Sequence, residues 1–95
     1  MKFSISVNEL NQAMNIIDIR DEYQYKKGHI PNALHIPRQD LLINPKLYLN
    51  KGEYYYLYCN RGAQSMELSI ILNELGYQVI SIDGGYMEYK SKKGY

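Results

Sequence analysis

The feature that most constrains this chain is a β-prone segment that runs into a glycine-containing loop and then into a helical pattern. Residues 54–58 are four tyrosines and a leucine, a composition typical of a strand, and the chain's only cysteine, Cys59, follows them. After Gly62, apolar residues recur at helical spacing. This order places Cys59 at the end of a strand and just before the N-terminus of a helix. The apolar stripe of that helix consists of Leu68, Ile71, Leu72 and Leu75.

A loop of this kind can stabilise a negative charge. Successive backbone N–H groups converge in such a turn, and the helix behind it adds a positive dipole end. A thiolate at Cys59 would be favoured there, and the thiolate is the reactive form of cysteine. Asn60, Arg61 and Gly62 are polar, cationic and conformationally permissive, which suits a loop that exposes its backbone to a ligand. The structural alternative is that Cys59 is a small buried side chain that fills the core.

Two further apolar segments, residues 16–19 and 79–82, have the composition of strands in a parallel sheet that is covered on both faces. Helical patterns separate the strand segments along the chain. This alternation predicts an α/β domain with a mainly parallel central sheet and helices packed on both faces. Ligands of such sheets bind beyond the carboxyl ends of the strands, where Cys59 is expected to lie. The length of 95 residues suits one domain over residues 1–95.

The N-terminal segment predicts a short strand followed by a helix. Residues 2–5 have the composition of a first strand. Ser6 and Glu9 then have the spacing of a capping box, which predicts a helix that reaches about Met14. The residues expected on the buried face of that helix are Leu10, Ala13 and Met14.

Two charged residues are expected inside the sheet. Asp18 and Arg20 are two positions apart in the predicted strand of residues 16–20, so they point to the same face. Buried charges are generally paired, and we therefore expect an ion pair within a hydrogen-bond network that fixes the adjoining loop.

The rest of the chain predicts several further features. They are helical segments at residues 21–27, 38–42 and 45–49, a left-handed Gly76 after the helix of residues 64–75, a last helix after Gly84-Gly85, and solvated charges at Lys90, Lys92 and Lys93.

Charge and composition argue against several classes of protein. The formal net charge of +1 leaves no broad basic surface for nucleic acid. No apolar segment approaches membrane-spanning length, and residues 1–6 lack the apolar core of a signal peptide. A single cysteine excludes an internal disulfide and a multi-cysteine zinc site, which fits a reducing cytoplasm. His29 and His35 have no accompanying ligand set, so we expect structural hydrogen bonds and no metal site.

The segment Cys59-Asn60-Arg61-Gly62-Ala63-Gln64-Ser65 resembles the active-site loop of single-domain rhodanese-like sulfurtransferases, in which a cysteine, a glycine three residues later and a closing serine recur. The upstream segments resemble the family's signature in the same order and spacing, and Gly84-Gly85 resembles its closing element. The resemblance covers about residues 6–89, and its upstream part is the more specific. That part consists of Ile17-Asp18-Ile19-Arg20, Gly28-His29-Ile30-Pro31-Asn32-Ala33 and Ile36-Pro37.

The resemblance implies a rhodanese-like fold and a sulfurtransferase activity. Cys59 would be the catalytic nucleophile, which takes a sulfane sulfur from thiosulfate or a persulfide donor and becomes a persulfide itself. A thiol, a protein or another nucleophile would then accept the sulfur, and with one cysteine in the chain that acceptor must be another molecule. No cofactor or metal is implied, and His29 is structural in the family. The residues implied to bind substrate are Asn60, Arg61, Gly62, Ala63, Gln64 and Ser65.

The chain departs from the family pattern at three positions. Gln64 stands where an arginine is frequent, which predicts a weaker hold on an anionic donor such as thiosulfate. Gln24 replaces a usual glutamate and Asn32 a common glycine, although asparagine tolerates a left-handed backbone better than most residues. These departures leave open a non-catalytic rhodanese-like module that regulates or binds another protein. The presence of Cys59 and Gly62 favours the enzyme, because an inactive module needs no thiol there.

A cysteine-dependent phosphatase is a third hypothesis, because its chemistry also places a cysteine beneath an anion-binding loop at a helix N-terminus. The related loops carry an arginine six residues after the cysteine, and here that position is Ser65. Without the arginine, the bidentate hold on a phosphoryl group is missing, and phosphoryl transfer depends on that electrostatic stabilisation. The sequence therefore disfavours a phosphatase.

Overall fold

A computed structural model of the chain describes residues 3–93, within which five parallel strands form one sheet. The strands lie in the order β1, β5, β4, β2, β3, so β4 occupies the centre. The fold prediction of a parallel α/β sheet is confirmed. The strands are β1 (Ser4–Ile5), β2 (Ile16–Asp18), β3 (Leu34–His35), β4 (Tyr54–Tyr58) and β5 (Gln78–Ile82).

Helical segments connect the strands and cover the sheet on both faces, as the sequence predicts. Two of them are single 3₁₀ turns, at Val7–Glu9 and Pro45–Leu47. The α-helices are α1 (Glu22–Lys27), α2 (Arg38–Ile43), α3 (Ala63–Glu74) and α4 (Gly85–Lys93).

The alternation of side chains along β4 divides the core in two. Leu57 and Cys59 point to one face, where they pack with Leu68 and Leu72 of α3. Tyr58 points to the opposite face and packs in a second cluster with Tyr89 of α4. Each fully buried leucine contributes about 1.5–3 kcal/mol through the removal of its apolar surface from water. Cys59 therefore faces α3, and its neighbour Tyr58 faces α4.

The strand order creates a crevice between β2 and β4. The chain proceeds from β2 outward to β3, returns to place β4 on the other side of β2, and then continues to β5. Connections leave β2 and β4 in opposite directions, so a gap opens beyond their carboxyl ends. Ile19 and Cys59, which follow β2 and β4, both lie at this edge.

Helix α3 ends as the sequence predicts. Gly76 has a φ of 99°, in the left-handed region, and its N–H donates to the carbonyl of Asn73. The N–H of Tyr77 donates to the carbonyl of Leu72, which completes a Schellman motif. Tyr77 is buried in the core beside α3, so the motif also aims the chain toward β5.

The predicted N-terminal helix is wrong beyond its first turn. The capping box forms, since Ser6 Oγ accepts from the N–H of Asn8 and the Ser6 N–H donates to Glu9 Oε2 at 2.9 Å. The helix nevertheless stops at Glu9, and Leu10 is extended, with a ψ of 143°. The side chain of Asn11 accepts the N–H of Ala13 at 2.9 Å, a local bond that competes with helix formation.

The remainder of that segment also differs from the prediction. Leu10 and Met14 pack against the second core cluster, but Ala13 is exposed, so the expected buried face is present only in part. Strand β2 ends at Asp18, two residues before the predicted end. Of the first predicted strand, residues 4 and 5 are confirmed, Phe3 precedes the strand, and Lys2 lies outside the described residues.

The turn between β5 and α4 requires glycine at two consecutive positions. Gly84 and Gly85 have φ values of 73° and 60°, both in the left-handed region. A Cβ on Gly85 would overlap the carbonyl oxygen of Cys59 and would lie 2.8 Å from the carbonyl carbon of Asn60. A Cβ on Gly62 would lie 3.1 Å from the Gly84 nitrogen. This turn therefore packs directly behind the cysteine loop.

We expect Gly85→Ala to destabilise the fold by at least about 2 kcal/mol, because the new methyl group would meet backbone atoms that cannot move without displacing the cysteine loop. Urea denaturation would measure the loss. Gly52→Ala is the control, since its added Cβ would meet only the Asn50 side chain, at 3.4 Å. Equal stability of the two variants would contradict this close packing.

Candidate active site

Cys59 lies where the central strand ends and the loop to α3 begins. The residue is 5% exposed and is the free cysteine of the described chain. The following loop turns sharply because Gly62 has a φ of 101°, in the left-handed region. From Gly62 onward the chain is helical, and the carbonyl of Gly62 accepts the N–H of Met66. The N-terminus of α3 is thereby directed at the cysteine.

The sulfur atom of Cys59 accepts hydrogen bonds from the loop backbone. The N–H of Gly62 lies 3.1 Å from Sγ, and the N–H of Ser65 lies 3.4 Å away. The first N–H groups of a helix have no intrahelical acceptor, so Ser65, in the first turn of α3, donates to sulfur at no cost to the helix. The structure therefore brings Cys59, Gly62 and Ser65 together as the sequence predicts.

These contacts decide the ionisation of Cys59. Burial by itself would raise the pKa of the thiol, because desolvation disfavours the thiolate. The Ser65 hydroxyl and the N–H groups of Ser65, Gly62 and Arg61 act in the opposite direction. Their hydrogen bonds outweigh the burial, and the pKa of Cys59 lies below that of an ordinary cysteine. The site thus favours the nucleophilic form of the residue.

A chain of buried hydroxyl groups leads away from the sulfur. Ser65 Oγ lies 3.6 Å from Cys59 Sγ, 3.2 Å from the Gly62 carbonyl oxygen and 2.7 Å from Ser81 Oγ. Ser65 and Ser81 are both fully buried. The Ser65 hydroxyl has one proton to donate, and when it donates to a thiolate it can accept the Ser81 proton. Ser81 therefore supports the thiolate through Ser65.

The predicted ion pair between Asp18 and Arg20 is present and is buried. Arg20 Nη2 lies 2.7 Å from Asp18 Oδ2, and Arg20 Nε donates to the same carboxylate. The hydroxyl of Tyr58 donates to Asp18 at 2.7 Å. Burial, together with the Asp18 carboxylate, raises the pKa of Tyr58, so the phenol stays protonated as this donor.

The same arginine holds one side of the cysteine loop. Arg20 Nη1 donates to Asn60 Oδ1 at 3.3 Å, and Nη2 donates to the Gly28 carbonyl at 2.7 Å. Its guanidinium lies over the ring of Tyr86, 4.2 Å from the ring centroid. Arg20 follows β2 and Asn60 follows β4, so this bond spans the crevice between the two strands.

Helix α4 holds the loop from behind. The N–H of Tyr86 donates to the carbonyl of Cys59 at 2.8 Å, and the N–H of Met87 donates to the carbonyl of Asn60 at 3.0 Å. These are N–H groups of the first turn, which lack partners within their own helix. These hydrogen bonds orient the loop's carbonyl groups toward α4. They also explain why Gly84 and Gly85 must lie so close to the backbone of the cysteine loop.

The crevice beside Cys59 is an open pocket of about 500 Å³. Of the residues predicted to bind substrate, Asn60, Arg61, Ala63 and Gln64 line it, and Arg61 and Gln64 are exposed to solvent. Gly62 and Ser65 contribute from beneath, through their bonds to sulfur. The remaining lining residues come from the end of β2 and from α1: Ile19, Arg20, Asp21 and Gln24.

The sequence did not predict that Ser81 or Tyr86 belongs to this site, and it predicted Asn60 as a substrate-binding residue without its hydrogen bond from Arg20. Ser81 is the clearest case with a sequence signal, since it is a polar residue within the apolar segment of β5. A buried hydroxyl requires a partner, but the pattern does not say which one. Tyr86 and Asn60 depend on how α4 and β2 meet the loop, which no local pattern indicates.

The two histidines make the structural hydrogen bonds that the sequence predicts. His29 Nδ1 lies 2.8 Å from the Tyr25 carbonyl oxygen, and His35 Nε2 lies 2.7 Å from that of Arg20. The ring of Tyr25 stacks on His29 with centroids 3.7 Å apart. Within residues 3–93, no three side chains of the metal-binding types form a cluster, and no helix has the length and apolarity needed to cross a membrane.

The sheet, the cysteine loop and the glycine turn behind it define a rhodanese-like domain. The sequence model for the Rhodanese-like domain matches residues 6–92, and the chain belongs to that family. Among curated proteins it is similar to YtwF of Bacillus subtilis, whose name carries a provisional sulfurtransferase assignment. The two are 29% identical over 84 residues, which are 88% of this chain and 81% of YtwF.

Solved structures of single rhodanese-like domains superpose closely on this chain. The SSP1007 protein of Staphylococcus saprophyticus is 31% identical, with a TM-score of 0.84 and 92% of each chain covered. A rhodanese-like domain protein of Staphylococcus aureus is 30% identical, with a TM-score of 0.82 and coverage of 94% of this chain and 91% of that one. Several other curated relatives are longer, and the chain spans 44% or less of their length.

We expect Ser65→Ala to raise the midpoint pH of Cys59 alkylation by about one pH unit, because a hydrogen bond to the thiolate is lost. The thiolate is the form that reacts, so the rate of reaction with iodoacetamide increases as pH rises through the pKa. In the wild type this midpoint is expected below that of an ordinary cysteine, because the same hydrogen bonds lower the pKa of Cys59. Ser81→Ala should give a smaller rise in the same direction.

Ser69→Ala is the matched control for both serine variants. Ser69 is equally buried on α3, and its hydroxyl has no hydrogen-bond partner within residues 3–93. Its loss should leave the alkylation midpoint unchanged. A midpoint that Ser65→Ala does not move would contradict the role of the hydroxyl in stabilising the thiolate.

Proposed function

We propose that the protein is a sulfurtransferase that carries a sulfane sulfur as a persulfide on Cys59. The observation that supports this most directly is the position of Cys59 Sγ. It accepts hydrogen bonds from the N–H groups of Gly62 and Ser65, and Cys59 lines an open pocket. Membership of the rhodanese-like family and the sulfurtransferase name of YtwF agree with it.

In the first half-reaction, the Cys59 thiolate attacks the outer sulfur of the donor. With thiosulfate, a new sulfur–sulfur bond forms at Cys59, the sulfur–sulfur bond of the donor breaks, and sulfite leaves with the electron pair. With a persulfide donor, the leaving group is the donor's thiolate. The lowered pKa of Cys59 favours this step, because the reactive thiolate is present without a separate base.

The terminal sulfur of the persulfide is itself anionic, and the loop offers N–H groups for it. Asn60, Arg61, Ala63 and Gln64 line the pocket beside Cys59. The N–H groups of Ala63 and Gln64 belong to the first turn of α3, where helices leave donors unused. By analogy with oxyanion holes, each donor aimed at developing charge lowers the barrier by about 2.7–4 kcal/mol. Preorganisation of the loop by Arg20 and α4 keeps these donors in place.

In the second half-reaction, a nucleophilic acceptor removes the terminal sulfur. The acceptor's thiolate attacks it, the bond between that sulfur and Sγ breaks, and its electron pair returns Cys59 to the thiolate. The acceptor's thiol proton passes to solvent, and no net oxidation or reduction occurs. The acceptor is a separate molecule, since the chain has no second cysteine.

The two alternatives have less support. A non-catalytic binding module does not require a cysteine with a lowered pKa that lines a pocket. A phosphatase requires a cation that grips the phosphoryl oxygens, and at the expected position Ser65 is fully buried and bonded to Ser81 and Gly62. Arg61 projects from the exposed part of the loop, which suits attraction of an anionic donor better than a bidentate grip.

We expect Cys59→Ser to abolish sulfur loading while the fold is retained, because the oxygen replaces the sulfur with little change in volume. The measurement is the intact mass of the reduced protein after exposure to thiosulfate and, separately, to a small-molecule persulfide. Wild-type protein should gain one sulfur atom that cyanide or a thiol removes. Loading of the serine variant, or no loading of the wild type by either donor, would refute the proposal.

We expect Arg61→Ala to raise the KM for thiosulfate roughly three- to tenfold with little change in kcat, if the guanidinium attracts the anion equally in the ground and transition states. Lys46→Ala is the charge-matched control, since Lys46 is exposed and does not line the pocket. Equal losses in kcat and kcat/KM would instead place Arg61 in transition-state stabilisation.

A further inference from the structure

A second groove continues from the Cys59 pocket. Its volume is about 430 Å³, and it shares Arg20, Gln24 and Asn60 with the pocket. The hydrogen bond from Arg20 to Asn60 forms the boundary between the two cavities. Thiosulfate would occupy only a fraction of this combined space, which leaves room for a longer molecule that extends from the Cys59 pocket into the groove. Its other lining residues are Tyr23, Lys27, Gly28, Tyr86, Met87 and Lys90.

The groove is cationic on both sides. Lys27 lies at the end of α1 and Lys90 lies on α4, and among the described residues no aspartate or glutamate lines the groove. Within residues 3–93, neither lysine makes an ion pair, whereas Lys26 pairs with Glu22 and Lys92 pairs with Glu88. Lys27 and Lys90 are therefore the lysines of these two helices that line the groove, and within that range both carry a charge without an ion pair. Lys90 is exposed, as the sequence predicts, and its charge borders the groove.

Aromatic and apolar side chains accompany these charges. Lys27 Nζ lies 5.7 Å from the ring centroid of Tyr23, and Lys90 Nζ lies 5.5 Å from that of Tyr86. Tyr23 is 72% exposed and Met87 is 52% exposed. Large apolar surfaces left open beside unpaired cations suit a ligand with an uncharged stem and anionic ends.

We propose that this groove binds the anionic part of the acceptor, a low-molecular-weight thiol that carries carboxylates or phosphates. The anionic groups lie between Lys27 and Lys90, and the thiol reaches the Cys59 persulfide past Asn60. The inference rests on the proposed function and adds to it the class of acceptor. The same site holds the product, since the acceptor leaves as a persulfide with the same anionic groups.

The test compares acceptors in a single turnover of sulfur-loaded protein. Glutathione supplies carboxylates, coenzyme A supplies phosphates, and 2-mercaptoethanol is the uncharged reference, each rate being corrected for thiolate fraction. The wild type should prefer at least one anionic thiol over the reference. The double variant Lys27→Gln/Lys90→Gln should lose roughly three- to tenfold in rate with that thiol and little with 2-mercaptoethanol.

The matched control is Lys26→Gln/Lys92→Gln, which removes the same charge from the same two helices but from lysines already paired with glutamates. It should retain the preference. Preference for glutathione alone identifies carboxylates as the bound groups, and preference for coenzyme A alone identifies phosphates. If Lys27→Gln/Lys90→Gln transfers its sulfur to both anionic thiols at the same rate as the control variant, the groove proposal is refuted.

A binding measurement separates this inference from the proposed function. S-methylglutathione and adenosine 3′,5′-bisphosphate carry the same anionic groups without a thiol, and backbone amide shifts would report their binding to unloaded protein. We expect at least one of them to shift residues around Lys27, Asn60 and Lys90 in the wild type and not in the groove variant. If Cys59 fails to load but this binding holds, the sulfurtransferase proposal fails and the anion groove remains. If Cys59 loads with sulfur but neither anion binds, the groove proposal is refuted and the sulfurtransferase proposal stands.

Discussion

The buried ion pair between Asp18 and Arg20 connects the elements that make the site. Asp18 ends β2 and also accepts the hydroxyl of Tyr58 from β4, while Arg20 reaches across the crevice to Asn60. A buried charge without its partner costs about 3–5 kcal/mol, so each of these residues depends on the others for its place. The network also carries a third contact, from Arg20 to the Gly28 carbonyl, which attaches the end of α1. These contacts connect β2, β4 and the end of α1 around the crevice.

Two opposing effects then set the chemistry of Cys59. Its burial disfavours a charge, and the hydrogen bonds of Gly62 and Ser65 favour it, with the second effect the larger. Those bonds exist because the left-handed Gly62 turns the loop and because α3 begins directly behind it. The N–H groups of α4 hold the carbonyl side of the loop, so its donors remain free to face the pocket. A rigid loop of this kind stabilises an anion without reorganisation at the moment of reaction.

Local patterns predicted most of the fold and the centre of the site. The strand, loop and helix around Cys59, the left-handed Gly76 and the paired Asp18 each follow from signals within a few residues. Asn32, with a φ of 71°, also adopts the backbone expected of a glycine position. The helix predicted up to Met14 was wrong because the Asn11 side chain accepts a hydrogen bond from the N–H of Ala13. Such a local bond competes with a weak helical pattern.

Contacts between distant segments could not be predicted in the same way. Ser81 approaches Ser65 only because β5 pairs beside β4 with Leu57 opposite Ser81. The groove between Lys27 and Lys90 arises because two helices from opposite ends of the chain meet at one opening. Neither relationship leaves a periodic signal in the sequence, since register and helix docking depend on the packing of the whole sheet.

The central claim is that the loop holds an anionic sulfur on Cys59, and a crystal structure of the sulfur-loaded protein would test it most directly. The account predicts density for one additional atom on Sγ, directed into the loop and within hydrogen-bond distance of N–H groups from residues 60–64. A terminal sulfur that points away from those N–H groups, toward solvent or toward the core, would contradict it.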